Sequence, residues 1–113
     1  MYNQLNLNFI DYDKLEEINR RERQILVHSC IYYDLNYNIL EDYQYDNIAK
    51  RLAKLIQEYP VEFNQSVYYD IFKDFGQPDE NGNVCYSGFN IPHDQPEIFN
   101  TAMRLIRYHQ QLE

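Results

Sequence analysis

Five side chains carry the chemistry that this chain offers. Tyr32 and Tyr33 are adjacent, and Asp42, Tyr45 and Asp46 follow about ten residues later. A planar, electron-poor ring wants an aromatic face on each side, and offset stacking adds ~0.5–1.5 kcal/mol beyond the area buried. Its polar edges want fixed acceptors and donors. Asp42 and Asp46 stand four apart, one helical turn, and so supply two acceptors on one helix face. The plain structural alternative is that Asp42 caps a helix, Asp46 pairs with Lys50, and Tyr45 only begins a core stripe.

Two helices and a link must position these groups. Leu15, Ile18, Ile25, Ser29 and Tyr32 fall on one stripe, with Leu26 and Tyr33 beside it. That spacing predicts a helix starting after Asp11 or Asp13, either of which can cap it. Glu16 with Arg20, and Glu17 with Arg21, are four apart with the acid first, and read most simply as a solvated face. Asp34 to Glu41 reads as a link, since Asn36 and Asn38 favour turns. Asp42 is then the expected N-cap of a second helix, with Asp46 near its positive dipole end. Tyr45, Ile48, Ala49, Leu52, Leu55, Ile56 and Tyr59 repeat at helical spacing until Pro60, which biases Tyr59 away from helix. Two helices joined by a short link should lie antiparallel and share their apolar stripes.

Around this pair the signal is weaker. Met1 to Ile10 is Asn-rich and reads as an arm packed through Leu5, Leu7 and Phe9. Residues 61–93 read as irregular, with Val67, Tyr68, Ile71, Phe72 and Phe75 able to form a short third helix. Gly76 to Gly88 holds all three glycines, and Asn81-Gly82 is a tight-turn dipeptide that leaves room for a short β-hairpin. A C-terminal helix over 94–113 opens with Asp94-Gln95-Pro96-Glu97 and takes its buried side from Ile98, Phe99, Ala102, Met103, Leu105 and Ile106. The expected fold is mainly α: one domain over 1–113, an antiparallel helix pair at its centre over 26–60, and a helix at its C-terminal end.

Composition limits the function classes. A chain of 113 residues makes one domain and buries roughly 65% of its unfolded surface. Its net charge of −8 opposes direct contact with a phosphate backbone, which wants Lys and Arg clusters. It would suit docking on a basic protein surface, although a solvated acidic exterior explains it equally well. There are 12 Tyr and no Trp, and tyrosine suits wet sites and interfaces because it buries a ring and keeps a hydroxyl. Aliphatic runs reach about three residues, far short of the ~20 a membrane helix needs. Cys30 and Cys85, with no signal peptide expected ahead of them, read as reduced thiols in a cytoplasm.

Other chemistries find little footing. His28-Ser29-Cys30 raises the question of a metal, but zinc wants three or four ligands and no further Cys or His cluster is near, so a buried helix face is the better reading. His93 precedes a helix start and reads as a surface loop residue. His109 suits the negative end of the last helix. Cys85 has no basic neighbour to make it a nucleophile. There is no Ser/His/Asp arrangement and no glycine-rich phosphate loop.

The central stretch resembles the small N-terminal domain, often called Ia, of NAD-dependent DNA ligases. The likeness is carried by Tyr32-Tyr33, the link through Leu40, and Asp42-Tyr43-Gln44-Tyr45-Asp46, which matches an Asp-x-x-Tyr-Asp opening of the second helix. It covers about 35 of the 113 residues. In that family the domain holds the nicotinamide mononucleotide half of NAD, with aromatic rings on the nicotinamide and acids and hydroxyls on its polar groups. The resemblance implies that Tyr32 stacks and that Asp42, Tyr45 and Asp46 supply the triplet. Tyr33 falls where ligases often have a histidine, so a ring is kept and any contact needing a charged or switching group is lost.

The remainder of a ligase is missing from the pattern. The family's nucleophile lies in Lys-x-Asp-Gly, whereas Lys73-Asp74-Phe75-Gly76 has its acid one place early. Short free-standing chains of this pattern, with a Phe-Lys-Asp-aromatic stretch (Phe72 to Phe75) and a later Ser/Thr-Gly-Phe (Ser87-Gly88-Phe89), look like phage and prophage proteins of Gram-positive bacteria. Two expectations follow. One is a non-enzymatic accessory protein that holds the nicotinamide nucleotide moiety of NAD, with no metal. The other is an acidic phage or mobile-element inhibitor, of the anti-CRISPR or anti-restriction type, docking on a basic host protein in the bacterial cytoplasm.

Overall fold

The computed structural model describes residues 9–78, 80–82, 84 and 91–112. Helix α1 spans Tyr12–Ser29 and passes directly into a π-helical turn, Cys30–Asp34. Helix α2 spans Asp42–Glu58, α3 Pro60–Asn64, α4 Tyr69–Phe72 and α5 Pro96–Leu112. The chain is mainly helical, and no strand forms among the described residues. At Asn81-Gly82 the expected turn is present, with Gly82 at φ +83°, and among the described residues the pairing is one antiparallel bridge between Pro78 and Val84. Leu5, Leu7, Cys85 and Ser87-Gly88-Phe89 lie outside the described residues.

Each helix end has a local cause. Asp11 caps α1 by accepting the Lys14 N–H at 3.2 Å. The cap of α2 is Glu41, not Asp42 as the sequence suggested: the Glu41 N–H donates to Gln44 Oε1 at 2.8 Å, one half of a capping box that puts Asp42 in the first turn. Tyr59 leaves the helical region ahead of Pro60, which opens α3 at the position where its missing N–H costs nothing. The stretch expected to form a short helix does so only over Tyr69–Phe72, leaving Val67 exposed while Tyr68, Phe72 and Phe75 enter the core.

Helices α1 and α2 pack antiparallel. The end of α1 meets the start of α2 around Ser29 and Asp46, and the start of α1 meets the end of α2 through Glu17 and Arg51. Ile18, Ile25 and Leu26 of α1 interlock with Ala49, Leu52 and Leu55 of α2, all fully buried. Each such aliphatic contributes ~1.5–3 kcal/mol through burial. Helix α5 closes the pair with Ile98, Ala102 and Ile106, and it also packs against the π turn. Phe99 was expected on this buried side but stands outside the stripe and is exposed, as is Phe9 of the N-terminal arm.

Polar groups lock this frame where the sequence suggested only a solvated face. Glu17 accepts from Arg21 on its own helix and, at two points, from Arg51 of α2: Nε to Oε2 at 2.9 Å and Nη2 to Oε1 at 3.0 Å. The Arg51 hydrogen bond holds the Glu17 carboxyl down at about 2, below the ordinary 4.5. Glu22, one turn beyond Ile18, is buried in the core. It accepts from Ser66 Oγ at 2.8 Å and from the Tyr68 N–H at 3.2 Å, and burial pushes it up to about 7.

Candidate functional site

The site is built where α1 stops. An α-helix continued through Tyr33 would place Tyr32 on the buried stripe. Instead the turn widens: the Leu35 N–H reaches Cys30 O and the Tyr37 N–H reaches Ile31 O, both at 3.0 Å. Asn36 then takes a left-handed conformation at φ 52°, which Asn tolerates better than most residues, and ends the helix. The extra residue per turn rotates Tyr32 and Tyr33 outward, 55% and 41% exposed. Their rings meet edge to face, centroids 4.9 Å apart at 87°. The placement of Tyr32 on the core stripe is thus corrected: the rings are surface groups standing over a buried Cys30 and Ile31.

From the other side, α2 presents its first turns. Glu41 does the capping, so Asp42 and Asp46 are left one above the other, both exposed, with Tyr45 half-buried between them and the core. Among the described residues neither acid makes an ion pair, and the Asp46–Lys50 pairing considered from spacing is not formed. Between the two walls lies a concavity of about 550 Å³, floored by the link. Tyr32, Tyr33, Asp42, Tyr45 and Asp46 all line it.

Several lining groups were not singled out from the sequence. His28 and Ser29 line the concavity one turn before Tyr32 and Tyr33. The i, i+4 spacing was the available signal, but His28 had been assigned to a buried helix face. Burial holds its imidazole below the ordinary pKa, so it sits in the neutral form at pH 7. Ser29 is 1% exposed, and among the described residues its Oγ has no hydrogen-bond partner. Tyr37, Ile39 and Leu40 come from the link, and Val84 from beyond the turn at Gly82.

The rim is braced from behind. His93, expected on the surface, is 9% exposed. Its Nδ1 lies 2.7 Å from Ile91 O and its Nε2 lies 3.1 Å from Asp34 Oδ1, so both ring nitrogens face acceptors. Its ring also stacks on Tyr33. His109 of α5 pairs through Nδ1 with Tyr37 OH at 2.9 Å, tying the link to the last helix.

The remaining motifs take structural places. Phe72 and Phe75 of the Phe-Lys-Asp-aromatic stretch meet edge to face in the core, and Gly76 follows in a left-handed conformation at φ 72°. Cys30 is a buried free thiol, its pKa raised by burial and by Asp34. Among the described residues no three His, Cys, Asp or Glu side chains gather to hold a metal, and no helix is long and apolar enough to cross a membrane. Comparisons with protein-family models, curated proteins and solved structures find no match to this chain. The ligase likeness rests on the quoted sequence residues alone.

Proposed function

We propose that this chain is a non-enzymatic accessory protein whose concavity holds the nicotinamide nucleotide moiety of NAD. The observation that carries the reading is convergence. Residues from two helices, about ten positions apart in sequence, line one hollow with two aromatic walls and two unpaired carboxylates. A volume of about 550 Å³ suits a small-molecule ligand, for which pockets run ~300–1,000 Å³. Tyr32 and Tyr33 offer faces and edges for stacking, while Asp42 and Asp46 offer acceptors for an amide and for ribose hydroxyls. The reading takes the protein to be cytoplasmic, in a phage-infected or prophage-bearing cell, and assigns the chain no chemistry of its own.

Amide shift mapping with nicotinamide mononucleotide tests this. Shifts should concentrate on residues 28–33 and 42–46. Shifts scattered over the surface, or confined to α5, would dismiss the reading.

A second reading is favoured by a separate observation. Tyr12, Tyr43 and Tyr108 are 71%, 64% and 61% exposed on a chain of net charge −8. Exposed tyrosines on an acidic body suit an inhibitor that docks on a basic host protein. A complex recovered at low salt should then dissociate as salt is raised. The two readings are compatible, because these tyrosines do not line the concavity.

A further inference from the structure

The charge lining the hollow bears on which part of a nicotinamide nucleotide it can recognise. Two carboxylates, Asp42 and Asp46, face it. Among the described residues no Lys or Arg lines it. His28, the basic group on the wall, is kept uncharged by burial. The N-terminus of α2 contributes a positive end of about half a charge, which two full carboxylates outweigh. Tyrosine faces add a further preference for a cation over a ring that carries no charge. The electrostatic character is therefore that of a cation site, and a phosphate entering it meets no counter-charge.

Building on the nicotinamide reading, we propose that the concavity selects an N-substituted pyridinium cation and disfavours its phosphate, so that nicotinamide riboside is held more tightly than the mononucleotide. The cationic oxidised ring is likewise preferred over the neutral dihydropyridine. The ribose hydroxyls and carboxamide engage the carboxylates, and a 5′-phosphate has to project into solvent beside Asp42 and Asp46.

Titration calorimetry on the whole chain, with nicotinamide riboside, its dihydro form and nicotinamide mononucleotide, tests the proposal. The riboside should bind at least tenfold more tightly than either competitor at low ionic strength. Its margin over the mononucleotide should shrink in 0.5 M salt, where screening shortens electrostatic reach to a few ångströms. In the Asp42→Asn, Asp46→Asn double variant, with helical circular dichroism retained, that margin should fall to about twofold or less. Equal or tighter binding of the mononucleotide overturns the selectivity and leaves the nicotinamide reading standing. A margin that survives in the double variant overturns it too, since the carboxylates would not be its source. Absence of heat with all three ligands removes both.

Discussion

The Tyr33 ring lies over the His93 ring, centroids 6.2 Å apart and planes 28° from parallel. His93 is itself held between Ile91 O and Asp34 Oδ1. A loop far along the chain thus supports one aromatic wall of the hollow. His93→Ala should remove the stack and both hydrogen bonds, at a cost of about 1–2 kcal/mol. For a domain of this size that lowers the thermal midpoint by roughly 4–15 °C. Hydrogen exchange should show the loss of protection concentrated at the π turn and at the start of α5. An unchanged midpoint would mean that the brace is incidental.

Glu22 makes stability fall as pH rises. Its carboxyl is buried and its folded pKa stands at about 7, above the ordinary 4.5. The folded state therefore holds a proton that the unfolded state releases, and each unit of rise between those values erodes stability. Over that window the loss is about 3 kcal/mol. Glu22→Gln keeps an acceptor for Ser66 and Tyr68 and removes the titration. Denaturant unfolding should find the variant more stable than the parent at pH 8 and no more stable at pH 5.

Glu17 acts in the opposite direction. Its folded pKa of about 2 lies below the ordinary 4.5, chiefly through the Arg51 hydrogen bond. Its contribution is fully present above about 4.5 and is lost as pH falls towards 2. Glu17→Gln should cost about 1 kcal/mol at pH 7, since Arg51 is partly exposed and the pair is screened. In acid melts the variant and parent should converge. Curves that stay parallel down to pH 2 would show that the pair does not titrate as described.

Ser29→Ala removes a buried hydroxyl that bonds to nothing among the described residues. The variant should melt at or slightly above the parent temperature, because no hydrogen bond is lost. Its affinity for nicotinamide riboside should match the parent's, since the Oγ is closed off from the hollow. A clear loss of thermal stability would show that the hydroxyl is bonded after all.

Much of this frame was legible in the sequence. The stripes Ile18–Ile25 and Ala49–Leu52–Leu55 follow a helical period, and Pro60 and Pro96 mark the end of α2 and the start of α5 from covalent geometry. The five candidate residues could be named from the ligase resemblance together with the one-turn spacing of Asp42 and Asp46. The π turn could not be read, since it adds one residue per turn with no compositional mark, and it alone decides that Tyr32 leaves the core. Glu22 was hidden because a charged residue at a stripe position reads as a break until its partners, Ser66 and Tyr68, are known to arrive from more than forty residues away. His93, which braces Tyr33, and Val84, which lines the hollow, were missed for the same reason: tertiary folding brings them there from a segment that carries no periodicity.

The central claim is that this hollow is a ligand site and not a surface crease. Calorimetry with nicotinamide mononucleotide, comparing the parent with Tyr45→Ala, Asp46→Ala, tests it most directly. The account predicts saturable one-site binding to the parent and none to the variant, with helical circular dichroism intact in both. A parent chain that gives no heat at millimolar concentrations of either the mononucleotide or nicotinamide riboside would contradict it.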